Sequence, residues 1–197
     1  GMHIPEEFGG VGLTYVELIV VLEQMGAALY PSPFFASVCL AANALIEGSK
    51  VAPLSDDNAA LLAAIAAGEK TATLAYSEPG GKYIPPDVKL SAKRDGDDYV
   101  LNGTKSYVLD GHTADAIITV ARFGDADGEI VLLAVPGDAA GLSRSEAHAV
   151  DPTRKLALLE FADVRVPASA AVGDPEFAWS TLNPTMQLGA VALAAES

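Results

Sequence analysis

Cysteine occurs once in the 197 residues, at Cys39, so no intrachain disulfide can form and a stapled secreted domain is excluded. Histidine is scarce too. His3, His112 and His148 lie far apart and, with one cysteine, supply no zinc-ligand spacing, so no metal site is expected. Cations are outnumbered, 12 Lys and Arg against 26 Asp and Glu, for a formal net charge of −14. A phosphate backbone needs clustered Lys and Arg, which excludes a nucleic-acid binder. No apolar run is long enough to cross a bilayer; the best, 18–22, is interrupted at once by Glu23 and Gln24. The opening Gly1-Met2-His3-Ile4-Pro5 lacks the basic-then-apolar order of a secretory signal, and Gly1 before Met2 reads as a cloning remnant. A cytoplasmic location is expected.

Apolar residues, by contrast, make up 50% of the chain, enough to bury a core and too many for a disordered protein. Their spacing changes near residue 70. Before it the period is helical. Thr14-Tyr15-Val16-Glu17 has the form of a capping box, with Leu18, Leu22 and Met25 on one stripe and Gly26 as a stop. Val16, Ile19 and Val20 make the opposite face apolar as well, the mark of a helix that needs neighbours on most sides. Further helices are expected over 35–46, ended by Gly48, and from Ser55-Asp56-Asp57 to Gly68.

After residue 70 the period shortens to that of strands, expected at 71–76, 88–93, 98–101, 105–109, 116–122, 130–135 and 155–161. Asp95-Gly96, Asn102-Gly103, Asp110-Gly111 and Asp127-Gly128 supply the positive φ angles of tight turns between them. Strands joined by turns without intervening helices make an antiparallel sheet or barrel, and no Gly-x-Gly-x-x-Gly follows a strand. Helical spacing returns from Glu176, with Trp179, Leu182, Met186 and Val191, and runs to Ser197 without a stop signal, so further chain is expected to follow. The reading is α+β and multi-domain: a helical part over 1–70, an antiparallel, β-barrel-like domain over 71–175, and the start of a C-terminal helical bundle over 176–197.

Five motifs in this order resemble the acyl-CoA dehydrogenase family. Pro5-Glu6-Glu7-Phe8-Gly9-Gly10-Val11-Gly12-Leu13 is similar to its loop before a helix, and Tyr76-Ser77-Glu78-Pro79 to its Thr-Glu-Pro segment. Tyr99-Val100-Leu101-Asn102-Gly103-Thr104-Lys105 resembles the β-hairpin before its flavin-facing strand. Asp110-Gly111-His112-Thr113-Ala114-Asp115 resembles the turn after that strand. Phe161-Ala162-Asp163-Val164-Arg165-Val166-Pro167 is similar to the strand that closes the β-domain.

The resemblance implies FAD held between a β-domain and a C-terminal bundle, with an acyl-CoA thioester as substrate. It implies cofactor contacts at Tyr76 and Ser77, whose hydroxyl replaces the family's Thr, and at Tyr107, Val108 and Leu109 on the flavin-facing strand. Tyr107 can pack on the ring system, whereas Leu109 cannot give the hydrogen bond a Thr would. Both also read as ordinary sheet packing, and Ser77 with Pro79 as a strand end. The family's Gly-Ser-Asp falls on Lys82-Tyr83-Ile84, where Lys82 and Tyr83 are candidate substrate contacts and Lys82 reads equally as a solvated loop residue.

No residue here matches the family's base. One family position falls on Gly189, Glu196 reads as an ordinary helix residue, and the base is expected beyond Ser197. The resemblance further implies an electron-transfer flavoprotein or other acceptor and a homo- or hetero-oligomer. Three functions stay open: an active acyl-CoA dehydrogenase, a degenerate subunit of a hetero-oligomeric one, and a non-enzymatic binding module on the same fold.

Overall fold

The computed structural model describes residues 1–80, 87–124, 129–149, 151 and 153–197. Helix α1, Tyr15–Ala27, starts on the capping box: the Thr14 hydroxyl accepts from the Val16 N–H, and the Glu17 carboxylate accepts from the Thr14 N–H at 2.8 Å. Gly26 does not stop it; the helix runs one residue further. A π-helical stretch, Phe35–Ala42, passes straight into α2, Asn43–Val51, so the expected end at Gly48 is overrun. Helix α3, Asp56–Ala67, has Ser55 as N-cap, two aspartates in its first turn and left-handed Gly68 just past its end. Helix α4 covers Ala178–Glu196. Among the described residues no helix is long and apolar enough to cross a membrane.

Among the described residues seven strands form one sheet: β1 Ala72–Ala75, β2 Ser91–Asp95, β3 Asp98–Leu109, β4 Ala116–Phe123, β5 Ile130–Pro136, β6 Leu142–Ala147 and β7 Leu156–Pro167. Four pairings are antiparallel, β2–β3, β3–β7, β4–β5 and β6–β7. Two are parallel, β1–β4 and β2–β4, because the chain between these partners is long enough to cross over. The sheet is therefore mixed, a detail the turn dipeptides did not carry.

Two expected strands, 98–101 and 105–109, are one. Asn102-Gly103 makes no hairpin: it sits at a register shift against β7, a bulge inside β3. The hairpin before it turns at Asp95-Gly96 instead, with Gly96 at φ 63. Strand β6 was not expected, since Leu142–Ala147 is a largely exposed strand beside β7 with little apolar alternation. Asp127-Gly128 lies outside the described residues.

Three cores position the rest. One packs α2, α3 and α4 against one face of the sheet, through Leu45, Leu62 and Leu182 on the helices and Leu74, Ile118 and Leu132 on strands. The second lies on the other face and unites Ile117 and Leu133 with Leu101, Leu159 and Phe161, so the sheet curls until β4–β5 and β3–β7 share an interior. Strand β4 is thus covered on both faces, which explains its unbroken buried run Ala116–Ala121, apolar at every position but Thr119. The third core joins α1 to α4 and the π-helical stretch through Leu18, Leu22, Phe35 and Ala192. Val16 and Val20 on α1, and Trp179, Val191 and Leu193 on α4, remain exposed.

Candidate functional site

Strand β3 changes its behaviour halfway. Its first residues alternate, with Tyr99 and Leu101 buried, as a one-sided strand should. At Lys105 the alternation fails: Lys105 and Ser106 are both buried, and Tyr107 turns out with its side chain 62% exposed. The cause is a second bulge. The register against β7 slips between Lys105 and Val108, and Tyr107 takes a left-handed φ of 56, a conformation that a bulky side chain adopts only when its surroundings impose it.

Those surroundings come from β1 and the segment after it. The Thr73 hydroxyl donates to the Leu109 carbonyl at 2.6 Å, and the Ser106 N–H donates to the Ser77 carbonyl at 2.9 Å. The Lys105 ammonium, wholly buried, lies 2.7 Å from Glu78 Oε1 and donates also to the Tyr76 carbonyl at 3.2 Å. Glu78 in turn accepts the Lys89 N–H at 2.8 Å and the Leu90 N–H at 3.0 Å. Burial pushes the Lys105 pKa down to about 8, against the pull of the Glu78 charge.

The structure therefore brings Tyr76, Ser77, Tyr107, Val108 and Leu109 into one place, with different exposures. Tyr76 is buried and contributes its carbonyl to Lys105. Ser77 is half-buried, and Val108 belongs to the second core. Leu109 packs against the third core, whose members include Phe35 and Leu22. Beside Ser77 and Tyr107 the buried Ser106 hydroxyl finds no hydrogen-bond partner among the described residues. An exposed aromatic face next to the half-buried Ser77 suits a flat ligand with polar edges. Lys82, Tyr83 and Ile84 lie outside the described residues.

Beyond Leu109 opens a cavity of about 610 Å³ lined by Tyr30, Phe35, Asp110, Arg154 and Glu196, among others. Across it the Arg154 guanidinium is 2.5 Å from the Glu196 carboxylate and lies over the Phe35 ring. Glu196 is thus a tethered, largely buried group and not the ordinary helix residue its position suggested; its partner is 42 residues away in sequence. Burial raises the Asp110 pKa above the usual range, with His112 and Arg154 pulling it back. Among the described residues no three His, Cys, Asp or Glu gather to hold a metal ion.

Lys105 and Glu78 lie inside two of the five motifs, yet neither carries an evident role in the sequence. The available signal was a Lys placed where the strand's own period predicts a buried side chain.

Known proteins fit this layout. Residues 73–164 match the family described as acyl-CoA dehydrogenase, middle domain, and residues 1–50 match the acyl-CoA dehydrogenase, N-terminal domain. The acyl-CoA dehydrogenase FadE12 of Mycobacterium tuberculosis is 32% identical over 96% of this chain and 50% of its own length. Among solved structures, the ChsE4–ChsE5 complex from Mycobacterium tuberculosis is similar with a TM-score of 0.80 and 26% identity, over 94% of this chain and 48% of that one. A glutaryl-CoA dehydrogenase from Mycobacterium smegmatis in complex with FADH2 gives 0.79 and 25%, over 100% and 51%. The chain spans about half the length of the curated relatives it matches. With both domain signatures in order and the same fold beneath them, the chain belongs to the acyl-CoA dehydrogenase family.

Proposed function

We propose that the protein carrying this chain dehydrogenates an acyl-CoA thioester between its α- and β-carbons, and that the chain supplies the flavin cradle. The observation that carries this reading is the exposed Tyr107 ring, held out by a left-handed bulge next to the half-buried Ser77. FAD, when bound, would accept hydride from the β-carbon.

The chain's own residues bind and orient. Tyr107 offers a ring face for stacking, while Ser77 offers a hydroxyl to the polar edge of the isoalloxazine. Tyr76 and Val108 act from beneath: one fixes Lys105 through its carbonyl, the other roots the strand in the core. Lys82 and Tyr83 are assigned to the acyl-CoA side on the resemblance alone. We assign no base to these 197 residues. Glu78 is held by Lys105 and two backbone N–H groups, and Glu196 by Arg154, so both carboxylates are committed to structural contacts. The base then comes from outside this sequence or from a partner subunit. The proposal includes a homo- or hetero-oligomer, an electron-transfer flavoprotein as acceptor, and a cytoplasmic location consistent with the single cysteine.

A second reading, a subunit whose partner completes the chemistry, is favoured by Leu109. Its side chain lies against the third core and has no hydroxyl to offer a flavin. The visible absorption spectrum of the purified full-length protein separates the two. Yellow flavin at about one per chain, bleached by some acyl-CoA, supports an active enzyme. Flavin taken up only after a partner subunit is added supports the second, and no flavin under either condition sinks both.

A further inference from the structure

Strand β4 gives one edge to two strands in succession. Its first four residues, 116–119, pair with β1, and Arg122 and Phe123 pair with the start of β2. Between the β1 pairing at 116–119 and the β2 pairing at Arg122, no described strand pairs with that edge. Glu78 bridges the interval: its carboxylate holds the Lys89 and Leu90 N–H groups on the β2 side and Lys105 on β3.

A buried ion pair is a poor way to gain stability, because desolvating both charges offsets most of their attraction. Two apolar side chains could fill the same space. They could not hold the Tyr76 carbonyl on an ammonium and the two N–H groups on a carboxylate joined to it. Lys105 also stands at one flank of the Tyr107 bulge, with Val108 at the other. A left-handed Tyr relaxes unless the backbone around it is over-determined. Here it is: Lys105 is anchored before it, the Ser106 N–H is bound to Ser77, and the Leu109 carbonyl is bound to Thr73 after it.

We propose that the buried Lys105–Glu78 pair is a positioning device for the flavin cradle, fixing the Ser77 segment against β3 and holding the bulge that presents Tyr107. Its role depends on the flavin reading of the site. The pair does not touch the reacting atoms; it acts through Ser77 and Tyr107.

The test compares three variants of the full-length protein: Lys105→Met, the apolar double variant Lys105→Met/Glu78→Leu, and Leu101→Ala on the far half of the same strand. FAD affinity is read by quenching of flavin fluorescence. Amide exchange over 76–78 and 106–109 is read without FAD. Leu101→Ala should lower the thermal midpoint yet keep FAD affinity within about twofold of wild type. Lys105→Met should weaken FAD binding about 10- to 100-fold and speed exchange at Ser106 and Tyr107. The double variant should recover thermal stability without recovering FAD affinity, which separates positioning from folding. A stable double variant that binds FAD as wild type does, with unchanged exchange, overturns the positioning role alone. A wild-type protein that takes up no FAD overturns the flavin reading and the pair's role with it.

Discussion

The two halves of β3 share a strand, a partner and a core, yet they serve different ends. The first half, around Tyr99 and Leu101, alternates and packs, and its backbone pairs regularly with β2 and β7. The second half, from Lys105, breaks the alternation, buries a charge and exposes an aromatic ring. Where a strand needs only to fold, its side chains follow the period of two. Where it must present a group, the backbone departs from that period, and neighbouring segments hold the departure in place. The difference lies in what surrounds each half: regular ladders for the first, and Thr73, Tyr76, Ser77 and Glu78 for the second.

The largest effect that would sharpen this contrast is Lys105→Met. It leaves Glu78 buried beside no cation, and stability to denaturant should fall by about 3–5 kcal/mol. Gly103→Val probes the joint between the halves. A Cβ there would lie 2.9 Å from the Leu90 Cα, and φ 139 is foreign to a β-branched residue. Thermal unfolding should reveal a loss of about 2 kcal/mol, and a stable Gly103→Val protein would mean that the bulge is not built as described.

A smaller effect concerns the support of the second half. Asp115 accepts both the N–H and the hydroxyl of Thr71 just before β1, and these bonds hold its carboxyl below the usual carboxylate range. A lowered folded-state pKa means stability that is fully present above the unfolded value and lost as pH falls through the folded one. Because Asp115 is exposed and its bonds compete with water, Asp115→Ala should cost no more than about 1 kcal/mol at neutral pH in urea unfolding. The gap between variant and wild type should narrow from about pH 4 downward. A gap that holds constant to pH 3 would contradict the Asp115–Thr71 tie.

Local signals were legible in the sequence. Thr14 with Glu17, and Ser55 with Gly68, are satisfied within a turn of their own helix, so the sequence alone marks the boundaries. Most strands of the β-domain followed from period and turn residues. Asn102-Gly103 misled because a bulge and a hairpin ask for the same backbone freedom, and only the partner strand decides between them. Strand β6 escaped notice because it is polar and exposed, with no buried face to set an alternation. At the site, the five cofactor candidates came from resemblance, and their clustering depends on contacts between β1 and β3 that no local pattern encodes. Lys105 with Glu78, and Arg154 with Glu196, are 27 and 42 residues apart, so as single residues they read as solvated charges.

If the second half of β3 presents Tyr107 to a flavin, removing the ring weakens FAD binding without weakening the fold. FAD titration of the full-length wild type beside Tyr107→Ala, followed by visible absorption, tests it most directly. Tyr107 is exposed and outside every core, so the variant should unfold at the wild-type temperature. Wild type should take up about one FAD per chain, and Tyr107→Ala should bind it at least about tenfold more weakly, the loss of one stacking face. Equal uptake by both proteins would contradict the account.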